Sequence, residues 1–266
     1  AALRWALGRV LADATLSTSD SEHMAARMRV LGAAEVMTFP FGLESMPAEP
    51  GQKEPLLFFA NRGLEVLYEP QRVIDAFTAV HRIKPEARLV VANDGALRPA
   101  LEAQVRERGL SDAVRFTGRL DAAAQALWYA RARWYLSLPR SDSVSVSLIE
   151  AMAHGCLPIV SDLPANRELV RDGDNGLVLA HGTLPDTGQL DALLECADAV
   201  AAANRAWVAS HALFAAAVRR FLSRVAILGT SFCSITMQAA PCTEWSSGRT
   251  TWRANGCARD TECRSW

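Results

Sequence analysis

The chain has 266 residues, enough for one large or two small domains at about 150 residues per domain. Its 28 Lys and Arg nearly balance 29 Asp and Glu, giving a net charge of −1. It therefore lacks the clustered positive charge that nucleic-acid binding requires. Half of its residues are hydrophobic and 21% are charged, values that exclude global disorder and indicate a soluble globular protein with a sizeable core.

Residues 1–42 are predicted to form a short α/β segment ahead of the main domain. Its elements are a helix, a strand end, a capped helix and a further apolar run, over residues 1–12, 15–19, 20–31 and 35–39. No basic region or cleavage signal is present at its start, so we do not interpret it as a targeting segment. We expect it to be the remnant of an N-terminal acceptor domain and the crossover that follows.

Between residues 55 and 180, short apolar runs alternate with segments of helical periodicity. The runs, rich in β-branched and aromatic residues, are 56–60, 89–92, 114–117, 134–138, 157–160 and 177–179. The helical segments between them are 70–82, 97–109, 122–131 and 147–155. This alternation is typical of βαβ units. It predicts an α/β fold, a Rossmann-like parallel sheet with helices on both faces, whose ligands bind at the carboxyl ends of the strands.

Two alanine-rich segments, residues 188–203 and 205–224, are predicted to be helices that close the domain. We therefore assign residues 43–225 to it. Periodicity stops at Gly229, and residues 226–266 are expected to be an irregular, poorly ordered tail. A reading-frame slip near the end of the gene would produce such a composition.

The cysteines in the tail could indicate a zinc site, but their spacing disfavours one. The four residues concerned are Cys233, Cys242, Cys257 and Cys263. None of the gaps between them is the short C-x2–4-C pair of zinc sites. Residues 225–243 carry no charge, but their Gly, Ser, Thr and Pro content disfavours insertion into a membrane. We expect neither a metal site nor a transmembrane segment.

One loop and the helix after it carry the chemistry. Residues 141–155 follow a predicted strand and a turn at Pro139, and small residues lead into the helix. Small residues leave the first amides of a helix accessible at the positive end of its dipole, which suits a phosphate or diphosphate. Asp142 and Glu150 bracket this position, where carboxylates usually bind sugar hydroxyls. From the residues alone, a capping Asp142 and a surface Glu150 remain an alternative.

The spacing of Asp142 and Glu150 resembles the E-x7-E motif of the family 4 retaining glycosyltransferases, with Asp replacing the first Glu. The sequence EAMAHGCLPIV that starts at Glu150 resembles the segment that follows in that family. Five further similar blocks occur in the same order, at residues 60–62, 76–77, 89–95, 114–118 and 166–176. The resemblance covers residues 37–225. It implies one half of a GT-B fold, the half that binds the donor.

The resemblance also implies roles for individual residues. Arg62 would neutralise the leaving diphosphate, as a planar and permanently charged guanidinium is suited to do, and Asp142 would contact hydroxyls of the donor sugar. Glu150 would bind the ribose. The other donor-binding positions are the amides of Ser145, Val146 and Ser147 and the backbone near the base at Gly118 and Arg119. Neither a cofactor nor a metal is implied, since the helix terminus and Arg62 stabilise the charge.

The implied reaction is that of a hexosyltransferase, which moves a sugar from a nucleotide-diphosphate sugar to an acceptor with retention of the anomeric configuration. The acceptor, a saccharide or a lipid-linked saccharide, is unknown. The expected location is the cytoplasm, including the inner membrane surface. An acceptor domain needs well over 100 residues, so we expect a truncated chain that transfers little alone. A non-catalytic nucleotide-sugar-binding module and a GT-B epimerase or phosphorylase remain as alternatives.

Three departures from the family pattern bear on the site. Tyr68 stands where the family normally has a Lys that pairs with the same phosphates. Asp142 is one methylene shorter than Glu. Asn93 replaces a turn Gly, which is tolerable because Asn adopts left-handed conformations more readily than most residues.

Overall fold

A computed structural model of the chain describes residues 2–39, 42–48 and 51–228. The predicted tail lies outside these residues from position 229 onward, together with its four cysteines and most of its uncharged stretch. The domain boundaries that the sequence suggests stay predictions.

Residues 2–39 form a small layer that we call the N-terminal layer. It consists of α1 (Ala2–Asp13), β1 (Ser17–Ser19), α2 (Glu22–Val30) and β2 (Val36–Thr38). Strands β1 and β2 pair in parallel, with Ser17 opposite Val36. Ser21 caps α2 by accepting a hydrogen bond from the Met24 amide at 3.2 Å, which satisfies one of the free amides at a helix start. The predicted order of elements is confirmed here.

The main sheet contains six parallel strands. They are β3 (Glu54–Ala60), β4 (Arg88–Ala92), β5 (Val114–Gly118), β6 (Ala132–Ser137), β7 (Leu157–Ser161) and β8 (Leu177–Leu179). Their spatial order is β5-β4-β3-β6-β7-β8, so each of the six predicted apolar runs becomes a strand. The chain order reverses between β3 and β6. In open α/β sheets a crevice forms at such a reversal, outside the carboxyl ends of the strands.

Helices cover both faces of this sheet, as predicted. They are α3 (Pro70–Ile83), α4 (Arg98–Glu107), α5 (Ala122–Arg131), α6 (Val146–Ala153), α7 (Pro164–Arg167), α8 (Thr187–Glu195), α9 (Ala197–His211) and α10 (Phe214–Leu228). Helices α3, α4 and α8 pack on one face, and α5, α6 and α9 pack on the other. The alternation of Phe58 and Phe59 between these two apolar clusters follows from the two-residue period of a strand.

The C-terminal helices differ from the sequence prediction. Two helices were expected over residues 188–203 and 205–224, and the structure has three over this region. The break after α9 has a tertiary cause. The amide of Leu43 donates to the carbonyl of Ala212 at 2.9 Å, and the amide of Phe214 donates to the carbonyl of Leu43 at 2.9 Å. These bonds to a distant segment replace the bonds that would continue one helix. The short helix α7 was not predicted.

Within the described residues, no helix has the length and apolar composition needed to cross a bilayer.

Trp134 on β6 provides a test of the core. Its side chain is fully buried, its Nε1 donates to the carbonyl of Pro55 at 3.0 Å, and its ring stacks on Phe58 at 5.9 Å. Replacement of Trp134 by Phe leaves a cavity and an unsatisfied carbonyl, so we expect the free energy of unfolding to fall by about 2–3 kcal/mol in denaturant titration.

The control is Trp5→Phe, because Trp5 is 72% exposed. We expect it to change the free energy of unfolding by less than about 0.5 kcal/mol. Equal losses in the two variants would contradict the assignment of Trp134 to the core.

Candidate functional site

Two charged side chains meet at the crevice between β3 and β6. Arg62 follows β3 and Asp142 follows β6. The Nη2 of Arg62 donates to Oδ2 of Asp142 at 2.6 Å, and the side chains are 19% and 20% exposed. The structure therefore brings the two predicted catalytic residues into direct contact. Such a short charge-assisted bond between partly buried groups is among the stronger polar contacts in proteins.

The start of α6 lies against the same guanidinium. Ser145 is the N-cap residue, but its side chain makes no capping bond; instead the Nη1 of Arg62 donates to its Oγ at 2.9 Å. The next two amides, of Val146 and Ser147, have no acceptor among the described residues. They lie at the positive end of the α6 dipole beside a cation. This arrangement attracts an anion.

A buried side-chain network links this position to Glu150. The Nδ2 of Asn61 donates to Oε1 of Gln125 at 2.6 Å and to the Tyr129 hydroxyl at 2.7 Å. The Tyr135 hydroxyl donates to Oδ1 of Asn61 at 3.0 Å. The Tyr129 hydroxyl also contacts Oε2 of Glu150 at 3.1 Å, where it can donate. Two successive hydrogen bonds, from Asn61 to Tyr129 and from Tyr129 to Glu150, therefore link Glu150 to the residue that precedes Arg62.

Desolvation acts on both predicted carboxylates. Burial raises the pKa of Glu150, and the hydrogen bond from Tyr129 partly opposes that shift. Burial also raises the pKa of Asp142, against the lowering effect of the Arg62 guanidinium. A carboxylate that has lost part of its water gains from a ligand hydroxyl that replaces that water. The electrostatics therefore suit hydrogen bonding to hydroxyl groups at these two positions.

Two clefts open beside the network and share Gln125. One of about 240 Å³ is lined by Glu150, Tyr129 and His154 among others. The other, of about 150 Å³, is lined by Asn61 and Arg119 among others. Because Gln125 lines both, the predicted ribose and base positions lie on either side of one side chain.

The backbone at the ends of β4 and β5 shapes the second cleft. Gly118 has φ 74° and Asn93 has φ 82°, so the left-handed conformation expected for Asn93 is confirmed. The Asn93 amide donates to the carbonyl of Gly118 at 2.7 Å. Gly118 precedes Arg119, whose exposed side chain lies at the cleft. Within the described residues, no hydrogen bond or ion pair joins Gly118 or Arg119 to the Arg62–Asp142 pair. The ligand-binding roles of Gly118 and Arg119 stay predictions.

The N-terminal layer contacts the main domain beside this site. The Oγ of Ser143 donates to Oδ1 of Asp20 at 2.7 Å, one residue from Asp142. The carboxylate of Glu168 accepts from the amides of Glu22 and His23 at 2.9 and 2.8 Å. A carboxylate at a helix start satisfies free amides and favours the helix dipole. The layer is therefore hydrogen-bonded to the loop that carries Asp142.

Sequence reasoning missed the polar role of several residues. Tyr129 and Tyr135 are buried aromatic residues, but their hydroxyls belong to the network around Asn61. Gln125 was not singled out, and Asn61 was included only as part of the block at residues 60–62, with no role of its own. A polar side chain predicted at the end of a buried strand, as Asn61 is, could have identified the centre of the network. In the described part of the chain no cluster of three His, Cys, Asp or Glu is placed to hold a metal ion.

Comparison with known proteins identifies a family. The family described as "Glycosyl transferases group 1" matches residues 44–196, more than half of the chain. The match contains Arg62, Gly118, Asp142 and Glu150.

Among curated proteins, the alpha-monoglucosyldiacylglycerol synthase of Streptococcus pneumoniae is 30% identical over 102 residues, which are 38% of this chain and 23% of that protein. The phosphatidyl-myo-inositol mannosyltransferase of Mycobacterium leprae is 30% identical over 171 residues, 59% of this chain and 43% of that protein. The chain thus spans less than half the length of these two relatives.

Among solved structures, HepE of Anabaena in complex with UDP-glucose superposes with a TM-score of 0.69 at 15% identity. The superposition covers 85% of this chain and 67% of that one. At this identity the likeness shows the fold, an α/β sheet domain of the kind that forms half of a GT-B protein.

His154 at the end of α6 gives the site a testable pH dependence. Its ring stacks on Tyr129 at 5.4 Å. Burial, with Lys53 and Arg205 nearby, lowers the pKa of His154 from 6.5 to about 4. Between these pH values the unfolded chain takes up a proton at this position that the folded chain does not. The free energy of unfolding should therefore fall as pH falls from 6.5 to 4.

Replacement of His154 by Phe keeps the ring but removes the titration, so we expect its melting temperature to fall less across this window. His211→Phe is the control, because His211 also stacks on an aromatic ring, that of Trp207, but is exposed. A wild-type slope in His154→Phe would show that another group causes the dependence.

Proposed function

The chain belongs to the group 1 glycosyl transferases, and from this we propose that it transfers a hexose from a nucleotide-diphosphate sugar to an acceptor with retention of the anomeric configuration. The observation that carries the proposal is the contact of Arg62 with Asp142 and Ser145 at the start of α6. Around one point lie a permanent cation, a carboxylate and helix amides that have no acceptor among the described residues.

The leaving diphosphate would bind at this point. Negative charge develops on the diphosphate as the glycosidic bond breaks, and preorganised cations and amides stabilise such charge. Arg62 would supply the cation, and Val146 and Ser147 would supply amides from the start of α6. Ser145 would contribute its amide and hold the guanidinium through its hydroxyl. We propose that these groups act without a cofactor or a divalent metal, so addition of a chelator would leave binding unchanged.

The nucleoside would occupy the two clefts beside the network. Glu150, half-buried and supported by Tyr129, would accept hydrogen bonds from the ribose hydroxyls. Arg119, which lines the neighbouring cleft, and Gly118 before it would border the base with their backbone. HepE, which shares this fold, forms a complex with UDP-glucose, and this supports a nucleotide sugar as the ligand class. The identity of the base is left to experiment.

Asp142 would contact the donor sugar. In the structure it is paired with Arg62, so donor binding would exchange that partner for the hydroxyls of the sugar while Arg62 pairs with the diphosphate. Both steps replace one charge-assisted hydrogen bond with another. The exchange explains how a carboxylate can lie beside an anion-binding position without repelling its ligand.

For the acceptor we propose a saccharide or a lipid-linked saccharide. The names of the two curated relatives refer to diacylglycerol and phosphatidyl-myo-inositol, which supports a lipid-bearing acceptor. A cytoplasmic location, at the inner surface of the membrane when the acceptor is a lipid, fits that chemistry.

Calorimetric titration with UDP, GDP and ADP tests the donor site. We expect one of the three to bind, and Glu150→Gln to weaken it about tenfold to a hundredfold, because hydrogen bonds to a charged group are lost. The matching 2′,3′-dideoxynucleotide should bind the wild type and Glu150→Gln equally.

The control is Glu107→Gln, since Glu107 is exposed on α4 and should leave the affinity unchanged. Absence of binding by all three nucleotides, in a folded sample, would overturn the proposal. Equal loss of the dideoxynucleotide would show that Glu150 does not contact the ribose.

Slow hydrolysis of the bound sugar nucleotide, followed by proton NMR, tests the reaction. We expect an α-linked donor to release the α-anomer first, and Asp142→Asn to reduce the rate at least about tenfold while the affinity for the free nucleotide diphosphate does not fall.

Release of the β-anomer first would contradict retention. Binding without turnover by the wild type would instead favour the alternative of a nucleotide-sugar-binding module that does not transfer.

A further inference from the structure

A tight turn after β3 brings an aromatic ring to Arg62. Residues Val66–Tyr68 form one turn of 3-10 helix, and Glu69 follows with φ 42° and ψ 53°, a left-handed conformation that is unfavourable for a residue with a side chain. Pro70 then begins α3. The turn is joined to the loop of the site, because the amide of Arg140 donates to the carbonyl of Leu67 at 3.2 Å.

The ring of Tyr68 packs against Arg62 and Gly63. The guanidinium carbon of Arg62 lies 4.5 Å from the centre of the ring, within the range of a cation–π contact. A Cβ added at Gly63 would lie 3.2 Å from two carbons of the same ring, so glycine leaves room for the ring. Tyr68 is half-buried. Its neighbours therefore hold the ring close to the guanidinium.

The three nitrogens of Arg62 have different surroundings. Nη1 and Nη2 face Ser145 and Asp142. The Nε is buried without a hydrogen-bond partner among the described residues. With the ring against the guanidinium, the edge that carries Nη1 and Nη2 is the part directed at the start of α6. A planar fork recognises phosphate oxygens through this kind of edge.

We propose that Tyr68 is a positioning residue for Arg62, which fixes the plane of the guanidinium so that its Nη1–Nη2 edge receives the diphosphate of the donor. This inference rests on the proposed function. Among the described side chains, no second cation pairs with Arg62. Binding of the diphosphate then depends on how this one guanidinium is oriented, whereas two mobile cations could bind a diphosphate through charge alone. The affinity for the diphosphate then depends on the ring, whereas the affinity for the nucleoside does not.

The experiment compares phosphate-dependent with phosphate-independent binding in the full chain. Calorimetry gives the Kd of UDP, GDP or ADP, whichever binds the wild type, and NMR titration gives the Kd of the corresponding nucleoside. We expect Tyr68→Leu to weaken the diphosphate about fivefold to thirtyfold, the range of a cation–π contact. Tyr68→Phe, which keeps the ring, should bind within about twofold of the wild type. Nucleoside affinity should be unchanged in both variants.

The matched control is Trp128→Leu. Trp128 lies under Arg131 at 4.8 Å, so the variant removes a ring–guanidinium contact of the same kind away from the pair formed by Arg62 and Asp142. Its Kd for the diphosphate should equal that of the wild type. Melting temperatures of all variants confirm that each protein compared is folded at the temperature of titration.

Each outcome decides the inference. An unchanged diphosphate Kd in Tyr68→Leu overturns it and leaves the proposed function standing. An equal loss of diphosphate and nucleoside also overturns it, because it shows a general distortion of the site. If none of UDP, GDP and ADP binds the wild type, the proposed function fails, and inorganic pyrophosphate is titrated into the same proteins. A loss confined to Tyr68→Leu then supports the role of Tyr68, and absence of pyrophosphate binding overturns it.

Discussion

The buried side-chain amide of Asn61 is the interaction on which the site depends. It lies directly after the central strand β3 and makes hydrogen bonds to residues of α5 and β6. A buried amide has to satisfy its donors and its acceptor, and this requirement fixes Gln125, Tyr129 and Tyr135 around it. Through Tyr129 it also fixes Glu150. Asn61 therefore holds site residues in place on both sides of the reversal in the sheet.

Much of the fold could be predicted because the central strands are buried on both faces. Strand β6 is buried along its whole length, and the apolar run Trp134–Leu136 at its centre is typical of a strand covered on both faces. The break between α9 and α10 could not be predicted in this way. It depends on hydrogen bonds from Leu43, more than a hundred residues earlier in the sequence, and the local alanine-rich sequence contains no sign of them.

The candidate site shows the same difference between features that local sequence indicates and features that depend on contacts with distant residues. The family resemblance implied separate roles for Arg62 and Asp142, but their ion pair was not predicted. It arises because residues that follow adjacent parallel strands lie at one edge of the sheet. The roles of Gln125 and Tyr129 could not be predicted from sequence, since their polar atoms form the network through hydrogen bonds with residues outside their own helix. Tyr68 was visible as a departure from a family pattern, but its contact with Arg62 depends on the turn at Val66–Tyr68 and on the absence of a side chain at Gly63.

In the proposed function, the ion pair of Arg62 and Asp142 would also limit how tightly the site holds the diphosphate. The guanidinium already has a carboxylate partner at 2.6 Å, so an arriving anion would gain only the difference in free energy between the two pairings. The same carboxylate is available to take the guanidinium back when the anion leaves. An enzyme that has to discard a charged product after every turnover benefits from such an internal competitor, because very tight product binding would make release the slow step.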